Sequence, residues 1–430
     1  MKLLNAIGSF GGTPIWLAMI LFPQMVMQAQ NLVVNTSDYP TLGNPTSAIA
    51  TKDGRYVFVS VTNVAHPNFT GSDESSGARK DTISGIQIFR RISPLRARNK
   101  GLEAVGFVGI GSTGANGLVL LKDEATLAVG AGDAGIAFLN VRDMVRGTAK
   151  PYFASQGERA GTFDVVASPD GKFVFAANEY GIVQGQRGSV GIVSVDADVQ
   201  GRVTHPQSIG QIPAGDVVPS LTLSPDGSRL YVATELIPAN QAPHIAGAGD
   251  PTLTKDDCLQ NKGTPPQRNG FITVIDTRRA IKLEQDAILS RVAAGCSPVR
   301  LVERADSSVL FVSARGDDRI LAFTPHLLDD DPEHAFLRAI PSGGSAPVGV
   351  RLFGEDRLLA VANSNRFADS DGTVAILDVS DVSSSSNRIP LKTWPAGGFP
   401  RNIGVSKDGK ILFLTNYRSR SLQVIRTSMR

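Results

Sequence analysis

The chain has 430 residues, 42% of them hydrophobic and 19% charged, with a formal net charge of +3. That balance excludes a disordered polyelectrolyte, and two cysteines are too few for a disulfide-built scaffold. Forty-four glycines and 25 prolines point instead to many short strands broken by turns.

In chain order, the first predicted element is a leader. Lys2 is followed by the apolar run Ile15 to Met27, and Gln28-Ala29 offers a small-residue cleavage point. Pro23 and Gln24 interrupt that run, which is short for a bilayer span. Residues 1–29 are therefore expected to be a signal peptide and 30–430 a single secreted or periplasmic domain. An isolated apolar strand, Leu32-Val33-Val34, comes next, and Asn35 and Asn68 head sequons that would matter only in a eukaryotic secretory pathway.

From Asn44 onward one pattern recurs seven times. Each copy has an alternating or wholly apolar run, a tight turn, and a second strand ending in small or polar residues. Asp-Gly occupies the turn at Asp53-Gly54, Asp170-Gly171, Asp226-Gly227 and Asp408-Gly409. The copies at 117–130, 297–314 and 346–363 keep the pattern without the pair. Asp-Gly suits a hairpin turn because it tolerates left-handed backbone. A third strand follows each pair, from Gly85, Gly135, Ser189, Gly270, Arg319, Gly372 and Ser421. A weaker fourth completes most units, and four-stranded repeats of this period are propeller blades. The expected fold is all-β: a seven-bladed β-propeller of four-stranded blades, its last blade completed by the N-terminal strand. A long insertion, about 236–269, interrupts blade four and holds Cys258. A disulfide from Cys258 to Cys296 is expected to tie it to blade five.

Propeller geometry places all the Asp-Gly turns on one face, with the longer loops on the other. Two residues beyond the proline position of each copy stand Ser47, Gly117, Asp164, Ser220, Arg300, Gly349 and Asn402. Just after the second strands stand Thr62, Gly132, Glu179, Glu235, Arg315, Ser364 and Tyr417. These two rings should surround the channel mouth. Acids gather on blades three and four as Asp164, Glu179 and Glu235. Arginines gather on blades five to seven as Arg300, Arg315, Arg366, Arg401 and Arg418. Arginines converging on a concave site suit a carboxylate or phosphate, and a facing acid could move a proton. The alternative is that the charges pair across blade boundaries. With Asn402 and Asn416 of the last blade, these residues other than Arg418 form the candidate binding set. Asp369-Ser370-Asp371-Gly372 lacks the remaining ligands of a calcium loop, so no metal is expected, and no cofactor motif is present.

The units resemble the YVTN-type propeller repeat, on Ser224-Pro225-Asp226-Gly227-Ser228-Arg229-Leu230-Tyr231-Val232 and Val274-Ile275-Asp276-Thr277. The last blade, from Phe399-Pro400-Arg401-Asn402 to Asn416, resembles the end of the seven-bladed lactonase family. That resemblance implies a propeller, and with it a lactonase-like hydrolase or isomerase of the 6-phosphogluconolactonase or muconate cycloisomerase type. Active relatives carry histidines in the channel mouth beside arginine and glutamate. Here His66, His205, His244, His326 and His334 all fall outside both rings. A monomeric binding module for a small anionic ligand or a protein partner is therefore the leading expectation. Catalysis by a Glu/Arg pair is the alternative, and nucleic-acid binding through the arginine side the third.

Overall fold

The computed structural model describes residues 32–65, 82–92, 101–111, 114–236, 269–382 and 390–429. Seven antiparallel four-stranded sheets follow one another as the blades of a ring. Blade one runs from Asn44–Ala50 to Leu102–Gly111, and blade six ends with Lys392–Pro395. Blade seven takes three strands, Pro400–Val405, Ile411–Asn416 and Ser421–Met429, from the C-terminal end of the chain. Its outer strand is Leu32–Pro40, paired antiparallel over nine positions from Leu32 opposite Met429 to Pro40 opposite Ser421. The expected closing strand is thus present and longer than the Leu32–Val34 core read from the sequence.

The strands are buried on both faces, because each blade lies between two neighbours. The buried apolar residues fall into seven clusters, one at each seam between adjacent blades. At the closing seam Tyr39 packs with Val57, Val59 and Phe89 of blade one and with Phe413 and Val424 of blade seven. Phe58, Phe138, Phe175, Phe271 and Phe311 are fully buried second- and third-strand residues. Each contributes about 1.5–3 kcal/mol by leaving water.

The turns work as the sequence predicts. Gly54, Gly171, Gly227 and Gly409 adopt φ of 67°, 75°, 72° and 66°. The aspartate before each accepts a hydroxyl hydrogen bond from Thr51, Ser168, Ser224 or Ser406 at 2.5–2.6 Å. Cys296 corrects one expectation. It ends the outer strand Ile288–Cys296 of blade four rather than opening blade five, opposite Asn269 where the insertion rejoins the sheet. Its expected partner Cys258 lies outside the described residues, as do the leader, Asn68, His66 and His244. No helix among the described residues is long and apolar enough to cross a membrane.

Candidate functional site

A local rule builds the upper ring. In blades three to seven, a residue just ahead of the first strand takes a left-handed backbone: Gly161, Val217, Ser297, Ala346 and Phe399, with φ between 50° and 61°. Its carbonyl then accepts the N–H of a residue at the mouth end of the second strand. Those donors are Glu179, Glu235, Arg315, Ser364 and Tyr417, at 2.9–3.1 Å. The same bond thus fixes the ring residue of five successive blades. Four of the five left-handed residues are not glycine, a conformation costing roughly 1–2 kcal/mol each. The backbone at the mouth of the channel is thus held in a strained form by a bond that recurs from blade to blade.

Six of the nine candidate residues line one cavity of about 220 Å³ at this mouth: Glu179, Glu235, Arg300, Arg315, Arg366 and Arg401. Arg315 Nη2 donates to Glu235 Oε2 at 2.7 Å, an ion pair joining blade four to blade five with both side chains nearly buried. Charges do therefore pair across a blade boundary, but only in part. Arg300 is 7% exposed and donates through Nη1 to the carbonyls of Pro219 at 2.7 Å and Val299 at 3.3 Å. Arg418, exposed at the rim, donates to the carbonyls of Arg366 and Ala368 and so braces that loop.

Arg401 is different. Its guanidinium makes no ion pair or hydrogen bond among the described residues. It lies over the rings of Phe163 at 4.8 Å and Tyr417 at 4.9 Å, with Phe399 at 5.9 Å. Burial first, and then the neighbouring charge of Arg300, push its pKa down to about 10, so it is still a cation at neutral pH. Arg366 is held below its ordinary value in the same way, by burial and by Arg315. Glu179 faces them. Burial and the adjacent Glu235 carboxylate raise its pKa, opposed by the Tyr180 hydroxyl and by Arg401 and Arg366. Burial and the Glu179 charge push Tyr180 up to about 12, which keeps its hydroxyl a donor to that carboxylate.

The other three candidates stand elsewhere. Asp164 sits lower on the channel wall, taking a hydrogen bond from the Ser220 hydroxyl at 2.8 Å. Burial raises its pKa, and Arg300 is the main charge opposing that rise. Gly117 makes room for it, since a Cβ there would come within 2.1 Å of Asp164 Oδ1. Asn402 lies on the same wall, and its N–H donates to Thr415. Asn416 is fully buried within its blade, where its amide donates to Ser421. These are residues of the fold. The aromatic wall formed by Phe163, Tyr180 and Phe399 was not anticipated from sequence. Its signal is adjacency, for Phe163 precedes Asp164, Tyr180 follows Glu179, and Phe399 lies two residues before Arg401. Among the described residues no group of His, Cys, Asp and Glu is placed to hold a metal ion. His205, His326 and His334 do not line the cavity.

No family model matches the chain, and no curated protein is similar to it in sequence. Solved structures do share its fold. The chain is similar to hydrazine synthase of Kuenenia stuttgartiensis, with TM-score 0.59 and 14% identity over 90% of this chain and 97% of that one. It is also similar to the β-propeller domain of Cps50 (Swd1) from Myceliophthora thermophila. That match has TM-score 0.57 and 11% identity over 92% of this chain and all of the other. At such identities the likeness concerns the fold alone.

Proposed function

We propose that the protein is a secreted binding module whose channel-mouth cavity holds a small organic anion. The observation that carries this reading is Arg401: a guanidinium packed by three aromatic rings and lining a cavity, with no close ion pair among the described residues and only the Glu179 carboxylate, shared with Arg366, facing it. Even a partly buried cation is costly without a close partner, and a ligand carboxylate or phosphate would supply one. The volume matches roughly seven waters at about 30 Å³ each, which suits a small acid rather than a polymer. Arg300 and Arg315, each 7% exposed, are too enclosed to track a nucleic-acid backbone. Export rests on the leader read at residues 1–29.

A catalytic reading has one observation in its favour. Glu179, with a raised pKa beside Arg401, has the make-up of a general acid facing an anion-binding group. The binding reading is tested by thermal unfolding of the purified domain with and without millimolar carboxylates and phosphate. The wild type should gain stability as ligand binding shifts the folding equilibrium, and Arg401→Met should not respond. A wild type indifferent to every anion would overturn it. Turnover of a lactone panel, abolished in Glu179→Gln, would favour the catalytic reading instead.

A further inference from the structure

The cavity has two poles, and their charges do not cancel. Arg315 is paired with Glu235, and Arg300 lies with Asp164. Arg401 and Arg366 then face one carboxylate, Glu179. In the cavity lining the four guanidiniums outnumber the carboxylates of Glu179 and Glu235. An anion reduces this positive excess, and a zwitterion leaves it in place.

Glu179 adds a second constraint. A bare anion seated on Arg401 would meet its carboxylate as a like charge, reinforced by Glu235 behind it. A hydroxyl next to the ligand's carboxylate turns that repulsion into a charge-assisted hydrogen bond. Most of the rest of the lining is ring and aliphatic surface, from Phe163, Tyr180, Phe399 and Tyr417 with Val299 and Val348. Resting on the anion-site reading, we propose that the ligand class is a small hydroxycarboxylate with a compact apolar body. Its carboxylate lies against Arg401 and its hydroxyl donates to Glu179. Glu179 thereby determines specificity, while Arg401 supplies affinity.

An isosteric series tests this by titration calorimetry on the full domain: 2-hydroxy-3-methylbutanoate, 3-methylbutanoate, valine, isopropylmalonate and inorganic phosphate. The hydroxy acid should bind at least about tenfold more tightly than each of the others, because a site built to receive a hydroxyl discriminates against analogues lacking it. In Glu179→Leu the ratio of hydroxy to deoxy acid should fall to within about twofold, with the deoxy acid bound no more weakly than by wild type. Should that variant not fold, the wild-type series decides alone. Equal binding of the two acids, or a preference for phosphate, valine or the dianion, overturns the ligand class and leaves the anion site standing. Failure of all five at millimolar concentration overturns both.

Discussion

Burial and the repulsion of Arg300 both act against the charge on Arg401, and what opposes them is attraction to Tyr417 and Glu179 together with three ring faces. Cation–π contacts give about 0.5–2 kcal/mol each, less than a full counter-ion returns to a buried cation. The site thus holds stability in reserve for its ligand. Arg401→Met keeps the length and stacks on the same rings. It should raise the free energy of unfolding by about 1–2 kcal/mol, read from urea denaturation without ligand. A loss of stability would mean that the guanidinium serves the fold. Counting along the repeat brings Glu179, Glu235, Arg300 and Arg315 to the mouth, and Arg366 and Arg401 lie next to counted positions. Three further candidates stand outside the cavity, for physical reasons. Asn416 precedes the ring residue Tyr417, and a step of one along a strand turns a side chain to the other face. Asp164 and Asn402 hold the same repeat position as Arg300, but their side chains are too short to reach up from the channel wall.

The blades show why some copies could lose their Asp-Gly pair. Glu124, Ser307, Glu355 and Asp356 adopt φ of 56–58° in the turns that lack the Asp-Gly pair. Strand pairing on both sides holds these turns in place despite the local cost. Hairpins were therefore legible from strand alternation even where the turn residues had changed. Interblade polar packing was not legible, because it depends on which neighbour a side chain meets. Glu303, at the end of the first strand of blade five, is the example. It faces Tyr231 and Asp226 of blade four, and burial, then the charges of Asp226 and Asp306, push its pKa up to about 7 against the influence of the nearby Ser307 hydroxyl. A carboxyl raised above its unfolded value binds more protons in the folded state. Its contribution is complete below the unfolded value near 4.5 and is lost as pH rises through the window up to about 7. Glu303→Gln cannot titrate. At pH 8 it should be more stable than wild type by roughly 1–2 kcal/mol, after discounting for partial exposure, and near pH 4 the two should coincide. Denaturation curves that run parallel across this range would show that Glu303 is not the titrating group.

At the scale of the ring, seven seams share the burial, and the N-terminal strand enters the two that flank blade seven, through Leu32 and Tyr39. Leu32 and Tyr39 are each buried to within 9%. The Tyr39 hydroxyl also accepts N–H hydrogen bonds from Gly101 at 2.9 Å and Leu102 at 3.2 Å in blade one. The strand therefore holds blade seven to its neighbour as well as covering its edge. Removing it should cost about 3–6 kcal/mol from these two side chains alone and leave Ser421–Met429 as an open edge able to pair with other chains. A form beginning at residue 41 should unfold at lower denaturant than one beginning at residue 30 and self-associate at high concentration, measured by urea titration and light scattering. The cause can be separated from a general loss of contacts. A synthetic peptide of residues 31–40 added in trans should restore the denaturation midpoint and suppress association if the strand acts by completing the sheet. A peptide with Leu32 and Tyr39 replaced by Ser keeps the backbone donors but loses the seam packing. It should restore much less of the midpoint, because closure needs the side chains as well as the ladder. Equal rescue by both peptides would mean that edge pairing alone closes the ring.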